Sequence, residues 1–296
     1  MKIAVISDIH GNLPALETVT ADIEQWRPDC VVVNGDIVNR GPLSRDCLQW
    51  VLNKQATDGW ELVRGNHEDY ILECAEPNSP TSGSAYQVRQ FAHWAYQQVK
   101  EYVPILAGLP DSYAACAPDG SELRIVHGSM RDNRDGVYVE TKDDELREQI
   151  APAPRVFVTG HTHHPLIRQI DGTTVVNIGS VGASFDSDRR LCYGRFTWRT
   201  TGGWSVDLVR LPYDYDRLEQ DYKTSGFLDE AGPLAQLMLV EHRRASGLVY
   251  RWASCYQSDV LAGKISMEAS VRAVLEDEDL QPYLGTPGWT FPVLAK

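Results

Sequence analysis

A chain of 296 residues with 43% hydrophobic and 23% charged side chains has room for one large α/β domain plus an accessory element, and these proportions set aside disordered and fibrous classes. The net charge of −13 argues against a long nucleic acid as partner, which needs a basic footprint. A small phosphorylated substrate remains open, because bound cations reverse the field locally.

The first residues, Met1-Lys2-Ile3-Ala4-Val5-Ile6-Ser7-Asp8, carry one cation and an apolar stretch too short for a secretory leader. No run approaches the roughly 18–20 apolar residues that cross a bilayer, so no membrane partner is expected. Six cysteines are scattered without a CxxC pair, which predicts buried free thiols in a reducing compartment. A cytoplasmic protein is the expectation.

Short, nearly all-apolar runs at residues 3–6, 31–33, 62–63, 123–126, 156–158 and 175–178 predict strands buried on both faces. Each leads straight into a motif: SDIHGN, NGDIVNRGP, RGNHE, HGS, GHTHHP and GS. After Asn12, Leu13, Leu16, Val19 or Thr20, and Ile23 recur at helical spacing, with Pro14 near the start. Leu43, Cys47, Leu48, Val51 and Leu52 make a second stripe. Residues 76–83 read as a loop, and residues 84–102 as one aromatic-rich helix; over 76–110 they could form a flap above a site. Alternation from 191 to 211 around Thr200-Thr201-Gly202-Gly203 predicts a hairpin. Beyond Pro212, helices are expected over 214–224, 231–246, 248–262 and 266–276. Strands alternating with helices give an α/β catalytic domain over 1–211, and a helical extension over 212–296 that packs on the core, covers the cleft or pairs two copies into a homodimer.

The chemistry concentrates at strand ends. In an extended segment, residues i and i+2 share a face, so Asp8 and His10, and likewise His161 and His163, can reach one ion. Asp36, Asn66 and His127 each follow another apolar run. Five strand ends thus offer seven candidate ligands: Asp8, His10, Asp36, Asn66, His127, His161 and His163. Carboxylates with imidazoles suit Mn, Fe, Zn or Ni, and ligands of α/β sheets bind beyond the carboxyl ends of strands. His164 would point away from the ion. The segment Asn177 to Gly182 reads as a tight turn near the site that could otherwise offer N–H groups to a phosphate. Arg189-Arg190 reads as a solvated loop, and His93 and His242 as structural or surface residues.

The motifs SDIHGN, GDIVNRGP, GNHE, HGS and GHTHHP, in that order, resemble the calcineurin-like metallophosphoesterases over residues 1–211. The resemblance implies a sandwich of two β-sheets flanked by helices, with two divalent or trivalent metal ions at one edge. By motif match, Asp8, His10 and His163 would hold one ion, Asp36 would bridge, and Asn66, His127 and His161 would hold the other. Asp36-x-x-x-Arg40-Gly41 with Gly65-Asn66-His67-Glu68 is similar to diadenosine tetraphosphate hydrolases and serine/threonine phosphatases. In the latter an Asp usually precedes the Arg; here Asn39 stands there. Gly160-His161-Thr162-His163 with Asn177-Ile178-Gly179-Ser180 is similar to small bacterial and archaeal phosphodiesterases.

These residues lead to a definite expectation. The chain hydrolyses a phosphoester or phosphoanhydride, preferably of a small molecule or nucleotide, with manganese the first metal to try in vitro. His67, with its near-neutral reference pKa, is the expected general acid. Arg40, beside Asn39, is expected to grip phosphate oxygens through its guanidinium fork. A protein phosphatase is the second reading, and a non-catalytic binding scaffold the third.

Overall fold

The computed structural model describes residues 1–285 and 290–294. Strand β1 (Lys2–Ile6) lies at the centre of a five-stranded sheet with β2 (Cys30–Asn34), β3 (Glu61–Val63), β9 (Leu191–Arg199) and β10 (Gly203–Leu211), in the order β10-β9-β1-β2-β3. The second sheet holds β4 (Ser112–Cys116), β5 (Glu122–Val126), β6 (Val156–Thr159), β7 (Leu166–Ile170) and β8 (Thr173–Asn177), in the order β4-β5-β6-β8-β7. Strands β1, β2 and β3 run parallel, as do β5, β6 and β8; antiparallel pairs add β9 and β10 to the first sheet and β4 and β7 to the edges of the second.

The sheets stack face to face. Ile3, Val5, Val32 and Val63 from one meet Leu123, Ile125, Val156, Val158 and Val176 from the other. Alternate residues Ala4, Ile6, Val31 and Val33 point outward against α1 (Leu13–Trp26) and α2 (Ser44–Asp58), through Leu16, Val19, Ile23, Cys47 and Val51. Both strand faces are therefore apolar, which is why the runs show no alternation. Asn12 caps α1 by accepting the Ala15 N–H at 3.1 Å, and Pro14 fits the first turn.

Several elements went unread in the sequence. Edge strands β4 and β7 are half exposed and too mixed in polarity to stand out. Helix α3 (Asn66–Ala75) forms where only a motif was read, and α7 (Asp143–Gln149) where no element was assigned. The helix expected over 84–102 is broken: α4 (Gly83–Val88) and α5 (Gln90–Val99) part at Arg89, a 3₁₀ turn follows, and then α6 (Val103–Ala107).

The extension consists of α8 (Tyr215–Thr224), α9 (Phe227–Glu230), α10 (Leu234–Arg244), α11 (Leu248–Trp252), a π-helical turn Ala253–Gln257, α12 (Ser258–Leu261), α13 (Met267–Leu275), α14 (Gln281–Leu284) and 3₁₀ turns at Glu278–Leu280 and Pro292–Leu294. It packs through its own apolar cluster, in which Leu218, Tyr222, Leu237, Trp252 and Val271 join Cys74, Val88, Phe91 and Ala92 of α3, α4 and α5. The extension and helices α3, α4 and α5 thus share one core. Of the six cysteines, Cys116 and Cys255 are exposed rather than buried; all six are free. No helix among the described residues is long and apolar enough to cross a membrane.

Candidate metal centre

Every expected ligand sits just past the carboxyl end of a parallel strand. Asp8 and His10 follow β1, Asp36 follows β2, Asn66 opens α3 after β3, His127 follows β5, and His161 and His163 follow β6. The extended geometry expected for Asp8-x-His10 and His161-x-His163 is not what brings them together. Asp8, His10, Asp36, Asn39, Arg40, His161 and His163 all adopt left-handed backbone, with φ between 50° and 70°. Such a conformation in a non-glycine residue costs roughly 1–3 kcal/mol and persists only where the surroundings enforce it. Here the strand-end loops coil tightly, so that all these side chains turn onto one spot. Two glycines make the approach possible. A Cβ on Gly65 would stand 2.2 Å from Asp36 Oδ1, and one on Gly35 would stand 2.5 Å from the Gly65 nitrogen.

The donors form interlocking groups: Asp8, His10 and His163; Asp36, His127 and His161; and His10, Asp36 and His67. His10 Nε2 faces His163 Nε2 at 3.2 Å, and Asp8 Oδ1 lies 3.3 Å from His163 Nε2. Asp36 Oδ2 lies 3.3 Å from His127 Nε2 and 3.7 Å from His10 Nε2, between the two outer groups. Asn66 Oδ1 lies 3.0 Å from His127 Nε2 and 2.8 Å from His161 Nδ1. Metal–ligand bonds of about 2.1 Å place neighbouring ligand atoms about 3.0–3.4 Å apart, so these spacings fit coordinated ions. Asp8 Oδ1 is fully buried without a hydrogen-bond partner. A proton between two imidazoles satisfies one pair; a cation satisfies all three donors at once.

The outer ring nitrogens are fixed by carbonyls. His127 Nδ1–H donates to Asn34 O at 2.8 Å, and His163 Nδ1–H to Ala183 O, which leaves each Nε2 free to coordinate. Burial opposes a charge on His127, yet the Asp36 and Asp8 carboxylates raise it to about 10. In the bare protein, then, a proton on His127 supplies the positive charge that these carboxylates demand. Burial alone would raise Asp36 too, but His127 and His67 hold it well below the usual carboxylate range.

His67 departs from its near-neutral expectation: burial first, then Arg40 and two histidines, outweigh Asp36 and bring it down to about 3. Its Nδ1 meets Asn39 Nδ2 at 2.9 Å, while Asn39 Oδ1 accepts the Arg40 N–H at 2.8 Å. Because the amide oxygen is taken, the amide nitrogen must donate to Nδ1, and the ring proton resides on Nε2. Arg40 is not the free guanidinium that was expected. Its Nη2 pairs with Glu241 of α10 at 2.6 Å, and it lies 5.6 Å from the Phe185 ring centre.

Asp36, Asn66, His67, His161, His163 and Arg40 line one cavity of about 690 Å³. Its opposite walls come from the flap, through Val88, Arg89, Phe91 and Ala92, and from the extension, through Leu234, Val249, Tyr250, Trp252 and Gln257.

Residues 1–201 match the family model described as the calcineurin-like phosphoesterase superfamily domain. The chain belongs to that superfamily. It is accordingly a metal-dependent phosphoester hydrolase. Among curated relatives, the uncharacterized protein MJ0912 of Methanocaldococcus jannaschii is 23% identical over 228 residues, 72% of this chain and 88% of its own. A symmetrical bis(5'-nucleosyl)-tetraphosphatase of Chromobacterium violaceum is 37% identical over 78 residues, only 26% of this chain and 27% of its own. The fold matches the crystal structure of a metallophosphoesterase from Sphaerobacter thermophilus with a TM-score of 0.64 and 24% identity, over 83% of this chain and all of that one. It also matches the hypothetical protein PH1004 of Pyrococcus horikoshii with a TM-score of 0.65 and 19% identity, over 78% of this chain and 95% of that one.

The candidate site also rests on contacts that motif reading did not foresee. Glu68, fully buried, accepts the backbone N–H groups of Asp36 and Ile37 at 2.8 Å and of Gly65 at 2.9 Å, and so clamps the β2 loop to the start of α3. Burial and the Asp36 charge push its carboxyl up to about 7. Its place in Gly-Asn-His-Glu was visible; its job was not. Asn177 braces the β6 loop by donating to Gly160 O at 2.7 Å and Thr162 Oγ1 at 2.9 Å. The N–H groups of Val181 and Gly182 are taken by Ser7 O and Asp8 O, so that turn supports the Asp8 loop and does not offer them to a phosphate. His164 lines the cavity outside the donor groups, its Nδ1 2.6 Å from Thr162 O. Arg189 is more than solvated loop: it donates to His242 O at 3.2 Å and lies over Tyr215, tying the loop to the extension.

Proposed function

We propose that this hydrolase works with two metal ions and cleaves a phosphodiester or phosphoanhydride of a small molecule, a nucleotide being the preferred class. The carrying observation is the shared cavity: about 690 Å³, with metal-type donors on one side and apolar and aromatic walls on the other. That volume suits a ligand of drug or nucleotide size. A protein chain carrying a phosphorylated side chain, or a long nucleic acid, would need an open groove. The tetraphosphatase similarity, though it spans about a quarter of each chain, supports a nucleotide.

We assign the hydrolytic chemistry to residues 1–211, and substrate selection to the flap at 76–110 together with the extension at 212–296. Asp8, His10 and His163 would hold one ion, Asn66, His127 and His161 the other, and Asp36 both. When bound, such ions lower the pKa of water and neutralise charge growing on the phosphoryl oxygens. The chain's own residues do the rest. Arg40 presents its guanidinium to the phosphate from the cavity wall. The negative charge of a bound phosphate beside His67 favours the charged ring, so bound substrate primes His67 to give a proton to the leaving oxygen. The apolar walls exclude bulk water and strengthen each of these contacts. Manganese, iron, zinc and nickel all suit the donor set.

The test is a substrate panel on protein whose metals have been assayed, with manganese as the first addition. Turnover of bis-p-nitrophenyl phosphate or dinucleoside polyphosphates, with phosphopeptides left intact, is expected. Turnover of phosphopeptides alone would overturn the small-molecule reading.

A further inference from the structure

The extension reaches the reacting end of the cavity at one point. Glu241, on α10, is 2% exposed and directs Oε2 at Arg40 Nη2, 2.6 Å away, where the arginine side chain is 14% exposed. A carboxylate this deep needs its own support, and it has it: Oε1 accepts the Val249 N–H at 2.7 Å, at the start of α11. The extension holds Arg40 a second time, because the Tyr222 hydroxyl of α8 donates to Arg40 O at 3.2 Å. On its other side the guanidinium lies 5.6 Å from the Phe185 ring centre, and Phe185 in turn stacks on the His163 ring at 4.3 Å.

These contacts use one terminal nitrogen and the backbone of Arg40, and no other protein group among the described residues bonds to Nε or Nη1. Glu241 takes one of the two Nη2 hydrogens; the other, together with the N–H that faces it on Nε or Nη1, keeps one edge in the fork geometry that matches two phosphate oxygens. An ungripped arginine at a cavity wall would spread over many rotamers and lose that preparation.

We propose that Glu241 is a positioning residue, through which the C-terminal extension orients Arg40 for the substrate phosphate. This rests on the phosphate-binding role of Arg40 proposed above. The extension thereby becomes part of the machinery that receives the phosphate as well as a wall around the leaving group. A salt bridge that merely fastened the extension down would leave phosphate affinity untouched once folding was preserved.

Inorganic phosphate is the probe, titrated calorimetrically into full-length, metal-loaded protein, so that no turnover is required. Glu241→Ala should weaken phosphate binding about tenfold to a hundredfold, the range for one charge-assisted hydrogen bond. Glu241→Gln keeps an oxygen acceptor within reach and should stay within about threefold of wild type. Arg40→Ala should weaken binding as much as Glu241→Ala, and the double variant no more than Arg40→Ala alone. Where Glu241→Ala does not fold, as judged by circular dichroism, Glu241→Asp replaces it. That shorter carboxylate should weaken phosphate binding with the metal content unchanged. Wild-type affinity in the folded alanine or aspartate variant, additivity in the double variant, or a wild type that does not bind phosphate would each overturn the proposal. A protein that shows the expected affinity pattern but hydrolyses no phosphoester would sink the substrate reading and leave the positioning role standing.

Discussion

The donor loops and the C-terminal extension meet at the same cavity, yet they are built on opposite principles. The loops are short, left-handed and polar, and each is forced into place by the strand beneath it and by clamps such as Glu68. The extension is helical and packs through an apolar core that it shares with α3, α4 and α5, touching the reacting end of the site through Glu241 and Tyr222. On the function proposed above, the contrast separates chemistry from selection. A metal site tolerates almost no displacement of its donors, so strain is stored there. A substrate wall can be rebuilt by changing one helix face, so it can sit on an element that the strand-end motifs do not specify.

The largest effects should come from the loops. Asp36→Asn keeps the oxygen that accepts the His67 N–H at 2.8 Å but removes the charge between the two donor groups. Activity should fall by about three orders of magnitude or more with loss of bound metal, since both water activation and charge neutralisation depend on it. Elemental analysis alongside kcat checks this; a variant with full metal content and near-normal rate would place the centre elsewhere. His67→Gln comes next. A lost general acid should lower kcat by about 10²- to 10⁴-fold while metal content stays constant. An unchanged kcat would remove His67 from the chemistry.

The same contrast governs what the sequence discloses. Asp8, His10, Asp36, Asn66, His127, His161 and His163 could be read because each follows an apolar strand and carries a side chain with few structural uses in that setting. The sandwich was legible too, since strands such as β1 and β6 are apolar on both faces. The means of convergence was not: nothing in Asp-x-His says that both residues are left-handed, because φ is set by what packs around the loop. Edge strands β4 and β7 escaped because half-exposed strands carry a diluted pattern. Glu241 and Tyr222 were invisible for a different reason. They lie about 200 residues beyond Arg40, on helices whose polar positions look alike, and only tertiary packing selects the one that faces the site.

A smaller effect probes the extension itself. His242 is buried beside the Tyr222 ring, and burial, with Arg40 and Arg189 nearby, lowers it to about 3. The unfolded chain titrates this histidine near 6.5 and therefore binds more protons than the fold between pH 6.5 and 3. Its contribution to stability is present above pH 6.5 and is lost as the pH falls through that window. The loss is about 2 kcal/mol by pH 5. His242→Leu should remove that share of acid sensitivity, so the stability difference between wild type and variant should change by about this amount between pH 7.5 and 5 in denaturant unfolding. A constant difference would show that His242 reaches solvent more freely than its packing indicates.

The finest test lies next to the point where the two regions touch, at Asn39, which precedes Arg40. Its amide donates to His67 Nδ1 and keeps the ring proton on Nε2, while its oxygen is held by the Arg40 N–H. A carboxylate there has no proton to donate. Asn39→Asp would instead accept from Nδ1–H and add a negative charge 2.9 Å from the ring, at the present amide position. Both changes favour the doubly protonated imidazolium, and an opposite charge at that range raises a histidine by about 1–3 units. If His67 acts as the acid in its charged form, the alkaline limb of the kcat profile should move to higher pH by about one unit or more, with about a tenfold gain in rate on that limb. An alkaline limb that stays in place would mean that the neutral ring, fixed as the Nε2–H tautomer by Asn39, is the form that serves the leaving oxygen. In that case the amide at this position suits a leaving group that needs a hydrogen bond more than a full proton, as a low-pKa phosphate or phosphoanhydride oxygen does.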